Sequence, residues 1–169
     1  MPDATGLEEL AQDLTAVDPA TVRSTLHFRG KAQIEIAPDR IGETLAFMRK
    51  RGFNFLASVH GVDYYPEEPR LGVHYELLDM KSLDRVTIKL RVPLKEPHVP
   101  SVTPDWPTAN HQEREIYDMF GVIFDGHPDP RRILMPEDYE GHPQRRDFPI
   151  GGEPVLFTVD ESKGTSYTE

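Results

Sequence analysis

The chain has 169 residues, 37% of them hydrophobic, with no cysteine, a net charge of −10 and a pI near 5.1. That length suits one globular domain, able to bury roughly 70% of its unfolded surface without a disulfide staple. The missing thiols exclude disulfides, thiol nucleophiles, Cys-ligated zinc and an ordinary iron–sulfur cluster held by this chain alone, and the acidic balance argues against nucleic acid and against direct adsorption to an anionic membrane. No apolar run approaches the roughly 18 residues of a spanning helix. The start, MPDATGLEELAQDL, lacks the basic and apolar regions of a signal peptide. The expectation is therefore a protein on the cytoplasmic side, reaching a membrane only through another protein.

Residues 1–20 carry five acidic residues and no basic one. Leu7, Leu10 and Leu14 give them a modest helical stripe, as in a short helix or a lead-in. From Thr25 to Ile36 the pattern alternates around Arg29-Gly30-Lys31, which predicts a β-hairpin with Gly30 in its turn. Pro38 and Asp39 are expected to open a helix whose core face is Ile41, Leu45 and Met48, and which stops at Gly52. Phe53–Tyr64 reads as a strand with its exit. Leu71–Leu77 and Val86–Val92 alternate apolar with polar residues and are close enough to pair antiparallel, leaving one face of the sheet polar or partly covered.

Five prolines between Pro93 and Pro107 rule out regular helix or central strand there. Trp106, near the end of this stiff loop, is either an anchor on the chain's own core or a partner contact. A helix over Ala109–Phe120 follows, with Thr108 or Asn110 as its N-cap, Asn110 and Glu113 at capping-box spacing, and Gly121 as its stop. At about 100° per residue, Ala109, Glu113, Ile116 and Phe120 share one face, with His111, Glu115 and Asp118 opposite. From Asp125 onward proline, glycine and charge dominate. Ile133-Leu134-Met135, Tyr139 and Phe148 mark this stretch as an ordered arm that packs on something. Val155–Val159 alternates weakly before a polar end.

Three constellations could carry chemistry. His111, Glu115 and Asp118 have spacings that can present metal ligands, yet they do not form H-E-x-x-H, and a solvated or interfacial charged face is the plainer reading. Glu113 on an apolar face needs a cation or hydrogen-bond donors. A Glu–Arg clamp with Arg114, Arg131 or Arg132 would supply them, and a capping role or an interface contact are the alternatives. The doubled Gly-His-Pro at 126–128 and 141–143 is followed by Arg131-Arg132 and Arg145-Arg146. Two stiff turns are the better reading than a metal site: glycine supplies an unusual φ, proline fixes the exit, and histidine bonds locally. The arginine forks could close the arm on its own domain or grip an acidic patch on a partner. Dinucleotide, phosphate-loop and hydrolase signatures do not occur.

The run EREIYDMFGVIFDGHPDPRRIL resembles the signature of the respiratory complex I 30 kDa subunit family, also called the C-type subunit. Its elements are Glu113, Arg114, Glu115, Asp118, Met119, Phe120, Gly121, His127, Arg131, Ile133 and Leu134. PEDYEGHPQRRDFP resembles the family's second stretch, with Gln144 where Leu is more usual. GFNFLASVHGVDY and PSVTPDWPTAN also look familial, so the likeness covers about residues 40–160. It implies an α+β fold with a mainly antiparallel sheet and packed helices, followed by an extended, irregular C-terminal arm. The division expected is an acidic lead-in over 1–20, a globular domain over 21–124 and an arm over 125–169.

The family resemblance further implies a subunit of the peripheral arm of a proton-translocating NADH:quinone oxidoreductase, on the cytoplasmic face of the membrane. Such a subunit carries no cofactor, metal or catalytic group of its own, while FMN and iron–sulfur clusters sit in partner subunits. Its neighbour would be the large D-type subunit of complex I, and also the B-type subunit and other peripheral-arm subunits. Arg131, Arg132, His142, Arg145, Arg146, Asp147 and Phe148 would lie against a partner. Two other readings stay open. One is a homologous subunit of a chloroplast-type or membrane-bound hydrogenase complex. The other is a stand-alone metal-dependent enzyme using His111, Glu115, Asp118 and His127.

Overall fold

The computed structural model describes residues 4–28 and 31–149. The turn expected at Gly30 and the alternation expected at 155–159 lie outside these residues. Helix α1 (Ala4–Val17) lays Leu10, Ala11 and Leu14 into the core, so the acidic lead-in is a packed helix. Strands β1 (Val22–Phe28) and β2 (Lys31–Ile36) pair antiparallel, as the alternation predicts. Pro38–Arg40 forms a single 3-10 turn, and helix α2 starts only at Ile41, running to Lys50. The helix expected from Pro38 is therefore shorter by three residues, its first turn being wound tighter. Ile41, Leu45 and Met48 are buried as expected.

Strands β3 (Phe55–Asp63), β4 (Leu71–Leu78) and β5 (Arg85–Val92) complete a five-stranded sheet of order β1-β2-β5-β4-β3. All its pairings are antiparallel except β2 with β5. Side chains alternate across it. Ile34, Ile88, Tyr75 and Val59 lie opposite one another along one row and are all buried. The next row, Glu35, Lys89, His74 and His60, lies on the other face. There Lys89 Nζ is 3.2 Å from the Glu35 carboxylate. The Tyr64 hydroxyl is 2.9 Å from His74 Nε2. Burial, then the charges of His60 and Lys89, push the His74 pKa down to about 4.

Among the described residues, the helices pack on the apolar face. Within the Pro-rich segment, His98–Pro100 forms a short strand β6, which pairs parallel with β7 (Ile123–Asp125). The prolines still confine it to three residues at the margin of the fold. Trp106 is buried in the core cluster with the Arg49 guanidinium 4.1 Å from its ring centre, so it anchors the chain's own loop. Helix α3 (Ala109–Phe120) packs along β3, where the Gln112 amide oxygen accepts the Val59 N–H at 2.6 Å. That bond occupies part of the open edge of β3. Residues 126–149 then return over α3 without regular secondary structure.

Candidate functional site

The last four carbonyls of an α-helix have no partner within it. In α3 every one of them is taken. Gly121 N–H reaches Tyr117 O at 2.8 Å. His142 Nδ1 donates to Asp118 O at 3.0 Å. Gln144 N–H reaches Met119 O at 3.1 Å, and Arg145 Nε reaches Phe120 O at 2.6 Å. The second Gly-His-Pro turn is thus the C-terminal cap of the helix. Gly121 at φ +79° makes the approach possible. A Cβ there would meet the Arg145 guanidinium and stand 2.6 Å from His142 Nε2. Gly126 and Gly141 also have positive φ, as the reading of both turns requires.

The helix caps the arm in return. Asp118 is fully buried and its carboxylate accepts the N–H groups of Ile133, Leu134 and Met135 at 3.0, 2.7 and 2.9 Å. Arg132 Nη1 completes the shell at 2.6 Å. Burial alone would raise this carboxyl, but the three N–H groups and Arg132 outweigh it, and its pKa is lowered. Arg114 supports the same turn from outside, donating to the carbonyls of Arg131 and Arg132 at 3.0 and 2.9 Å.

This overturns the reading of His111, Glu115 and Asp118 as one charged face. His111 and Glu115 are exposed, whereas Asp118 is buried beneath the returning arm. The helical positions are as expected, but a second layer covers one of them. His127 is committed as well: its Nδ1 accepts the Asp129 N–H at 3.0 Å and its Nε2 faces Asn110 O at 3.1 Å. Among the described residues, no three His, Asp or Glu side chains converge as metal ligands.

Glu113 is fully buried, as its helical position requires, but not in a Glu–Arg clamp. Ser101 Oγ donates to it at 2.6 Å and Val102 N–H at 2.9 Å. His127 Nε2 is 3.8 Å away. Arg114 is adjacent in sequence but points to the arm. Burial raises the Glu113 pKa against the pull of Ser101, Val102 and His127. The carboxylate thus ties the exit of β6 to α3. It closes no capping box, and Thr108, at the N-cap position, makes no side-chain cap bond.

The far end of the arm is latched to the sheet by a residue the sequence reading missed. Arg70, 5% exposed, binds Asp63 through Nε and Nη2 at 2.8 and 2.7 Å, and Asp147 through Nη1 and Nη2 at 2.9 and 2.7 Å. The Arg146 N–H adds a bond to Asp63 at 2.8 Å. The Arg70 guanidinium first, then two backbone N–H groups, hold the Asp63 carboxyl well below the ordinary range against its burial. The sequence signal was Asp63 and Arg70 flanking a proline-rich turn, a spacing that brings both to the same end of β3 and β4.

The residues expected at a partner therefore divide. Arg132, His142, Arg145 and Asp147 direct their side chains into the chain itself. Phe148 stacks on Tyr139 with ring centres 6.3 Å apart. Arg146 is exposed, and Arg131 is exposed while bound to Asp129 at 2.7 and 2.9 Å. The turn built on Asp118 also leaves Ile133 and Leu134 on the surface, 36% and 59% exposed.

Residues 34–154 match the model of the family described as the respiratory-chain NADH dehydrogenase 30 Kd subunit. The chain belongs to this family. Among its relatives, the C-type subunit of the NADH-quinone oxidoreductase of a Roseiflexus species is 44% identical over 164 residues, covering 95% of this chain and 92% of the relative. Subunit 5 of the Thermus thermophilus NADH-quinone oxidoreductase is 42% identical over 137 residues, covering 76% and 66% respectively. A solved trypsin-resistant fragment of Nqo5 superposes with a TM-score of 0.63 at 32% identity, over 73% of this chain and 98% of the fragment. A chain of an archaeal membrane-bound sulfane sulfur reductase shares the fold at a TM-score of 0.71 and 23% identity, over 96% and 94%. In this 30 Kd-type chain, the signature residues other than the exposed Glu115 form the junction just described. Glu113 faces the core, Asp118, Phe120 and Gly121 receive the arm, and Arg114, His127 and Arg131 shape its first turn.

Proposed function

We propose that this chain is a non-redox docking and assembly subunit in the peripheral arm of a proton-translocating NADH:quinone oxidoreductase. It holds the large, quinone-site D-type subunit in register, with the B-type subunit and other peripheral-arm subunits nearby. The observation that carries this reading is the form of the arm. Two latches, at Asp118 and at Arg70, fix an irregular segment in one conformation, yet its Ile133, Leu134, Arg131 and Arg146 face outward. A segment held this firmly, with Ile133 and Leu134 turned outward among charged side chains, suits a preformed contact, because little ordering entropy remains to be lost on docking. The redox groups, FMN and iron–sulfur clusters, belong to the partners; the chain has no cysteine to hold a cluster. Among the described residues no helix is long and apolar enough to cross a membrane. Attachment at the cytoplasmic face therefore runs through the other subunits.

The test is Leu134→Asp combined with Arg146→Glu. Both side chains lie outside the latches, so the isolated variant should melt within about 2 °C of the parent, as expected of surface changes. Native electrophoresis of solubilised membranes should show the assembled complex reduced and quinone reductase activity lost with it. A full yield of active complex carrying the variant chain would reject the outer surface of the arm as the docking surface.

A further inference from the structure

The arm occupies only one end of the sheet. Its latch lies where Asp63 of β3 pairs with Leu71 of β4. The opposite end of the same strands, where Phe55 pairs with Leu78, is roughly 25 Å away at about 3.3 Å per residue. There Phe55 is 46% exposed, and the turn that joins β4 to β5 exposes Met80 by 57% and Leu83 by 66%. Isolated exposed apolar residues are ordinary, but three large ones around one strand end form a patch.

Cations surround this patch. Arg85 opens β5 opposite Leu78, and Lys31 opens β2, one residue before the parallel Ala32–Val86 pair. Their neighbours Ala32 and Val86 face the core, so both cations project from the open face of the sheet, and Lys81 stands on the turn. All three are exposed, and none has an acidic side-chain partner among the described residues. The aspartates of the turn form no ion pair with them. Asp79 accepts the Lys81 N–H at 2.8 Å and its Oδ2 lies against Gly52, while Asp84 Oδ1 is buried. Among the described residues, a chain of net charge −10 thus sets three exposed cations without an ion-pair partner at the sheet end where it also exposes Phe55, Met80 and Leu83.

We infer that this end of the sheet is a second docking surface, and that its occupant is an acidic protein segment carrying apolar side chains, supplied by a neighbouring subunit. Charge complementarity selects the acidic partner and fixes its register, and the apolar tip supplies the buried area. The strong negative charge of the rest of the chain disfavours the other anionic candidate, a lipid surface. With the arm at one end of β3 and β4 and this patch at the other, the domain would span two neighbours. The inference rests on the chain working inside the assembly proposed above.

The experiment places a photo-cross-linking residue at Met80 in the full chain, within the complex isolated from membranes. The expected product joins Met80 to a stretch rich in Asp and Glu on another subunit, mapped by mass spectrometry. Lys31→Glu with Arg85→Glu should lower its yield roughly tenfold or more, as reversal of paired surface charge does at an interface. Lys81→Glu, on an exposed turn, makes the same test should the double variant fail to fold. A product with lipid, with a neutral or basic segment, or with nothing in an intact complex overturns this inference and leaves the docking role of the arm standing. A yield unchanged by charge reversal also overturns it. A chain that purifies alone overturns both.

Discussion

Asp118→Asn removes the negative charge around which the arm turns while keeping the side-chain volume. The carboxylate receives three backbone N–H groups and one guanidinium, all within 3.0 Å. All three N–H groups converge on Oδ2 and Arg132 on Oδ1, so an amide that keeps its oxygen on the N–H groups turns its NH2 against Arg132, loses that bond and removes the charge from the other three. Bonds to a charged group contribute about 1.5–3 kcal/mol each. Breaking a buried ion pair while its partner remains costs about 3–5 kcal/mol in total. The lower figure, about 3 kcal/mol, corresponds to a roughly 100-fold larger population of released arm. Trypsin at pH 8 reads that population directly at Arg131, Arg132, Arg145 and Arg146, because cleavage follows the open fraction when opening and closing are fast. Initial cleavage should therefore accelerate about 100-fold, with the sheet core resisting longer.

The pH dependence of this variant has a definite sign. The folded-state pKa of Asp118 is lowered, so its contribution is present above the ordinary carboxylate range and is lost as pH falls through the lowered value. Urea melts of parent and variant should converge as pH drops below about 4. An unchanged cleavage rate at pH 8 would refute the view that the buried carboxylate organises the arm.

Glu113 has the opposite electrostatics. Burial raises its pKa and outweighs the pull of Ser101, Val102 and His127, so ionisation costs stability as pH climbs from the unfolded value to the folded one. Glu113→Gln should stay within about 1 kcal/mol of the parent at pH 4 and gain on it toward pH 8, measured by urea melts, because the amide oxygen still accepts the Val102 N–H while the NH2 donates to the Ser101 hydroxyl. Gly121→Ala should destabilise by about 1–3 kcal/mol, read as a fall in Tm, since it combines a positive φ with a Cβ driven into Arg145 and His142. His74 should titrate with a midpoint near pH 4 by NMR. A midpoint in the ordinary histidine range would mean that the Tyr64 loop does not cover it.

The parts of the fold legible in sequence are those whose partners are local or whose patterning answers to one core. β4 and β5 alternate because each has one buried face, and the connection between them is short. The parallel pairing of β2 with β5 joins residues more than 50 apart, and nothing in either strand encodes which neighbour it takes. Glu113 shows the same division. Helical geometry places it in the core, but its partners, Ser101 and Val102, precede it in a loop that carries no periodic signal. Asp118 was misread because a helical projection assigns faces without knowing that residues 126–149 come back over the helix. A trace of that return was present: a helical acid followed 14 residues later by an arginine and then three residues whose N–H groups need a partner. Arg70 escaped because its two carboxylate partners are 7 and 77 residues away.

The reciprocal capping of α3 and the arm bears on the order of synthesis and assembly. The carbonyls that end the helix are filled by His142, Gln144 and Arg145, which leave the ribosome more than 20 residues after the helix itself. Until they arrive, three of the last four carbonyls of α3 lack these partners, and Asp118, which organises the turn presenting Ile133 and Leu134, sits on an uncapped helix end. A chain translated past the second Gly-His-Pro carries that turn on a capped helix. A partner that recognises the turn would thereby favour chains translated past Arg145 over shorter ones, without any separate inspection step.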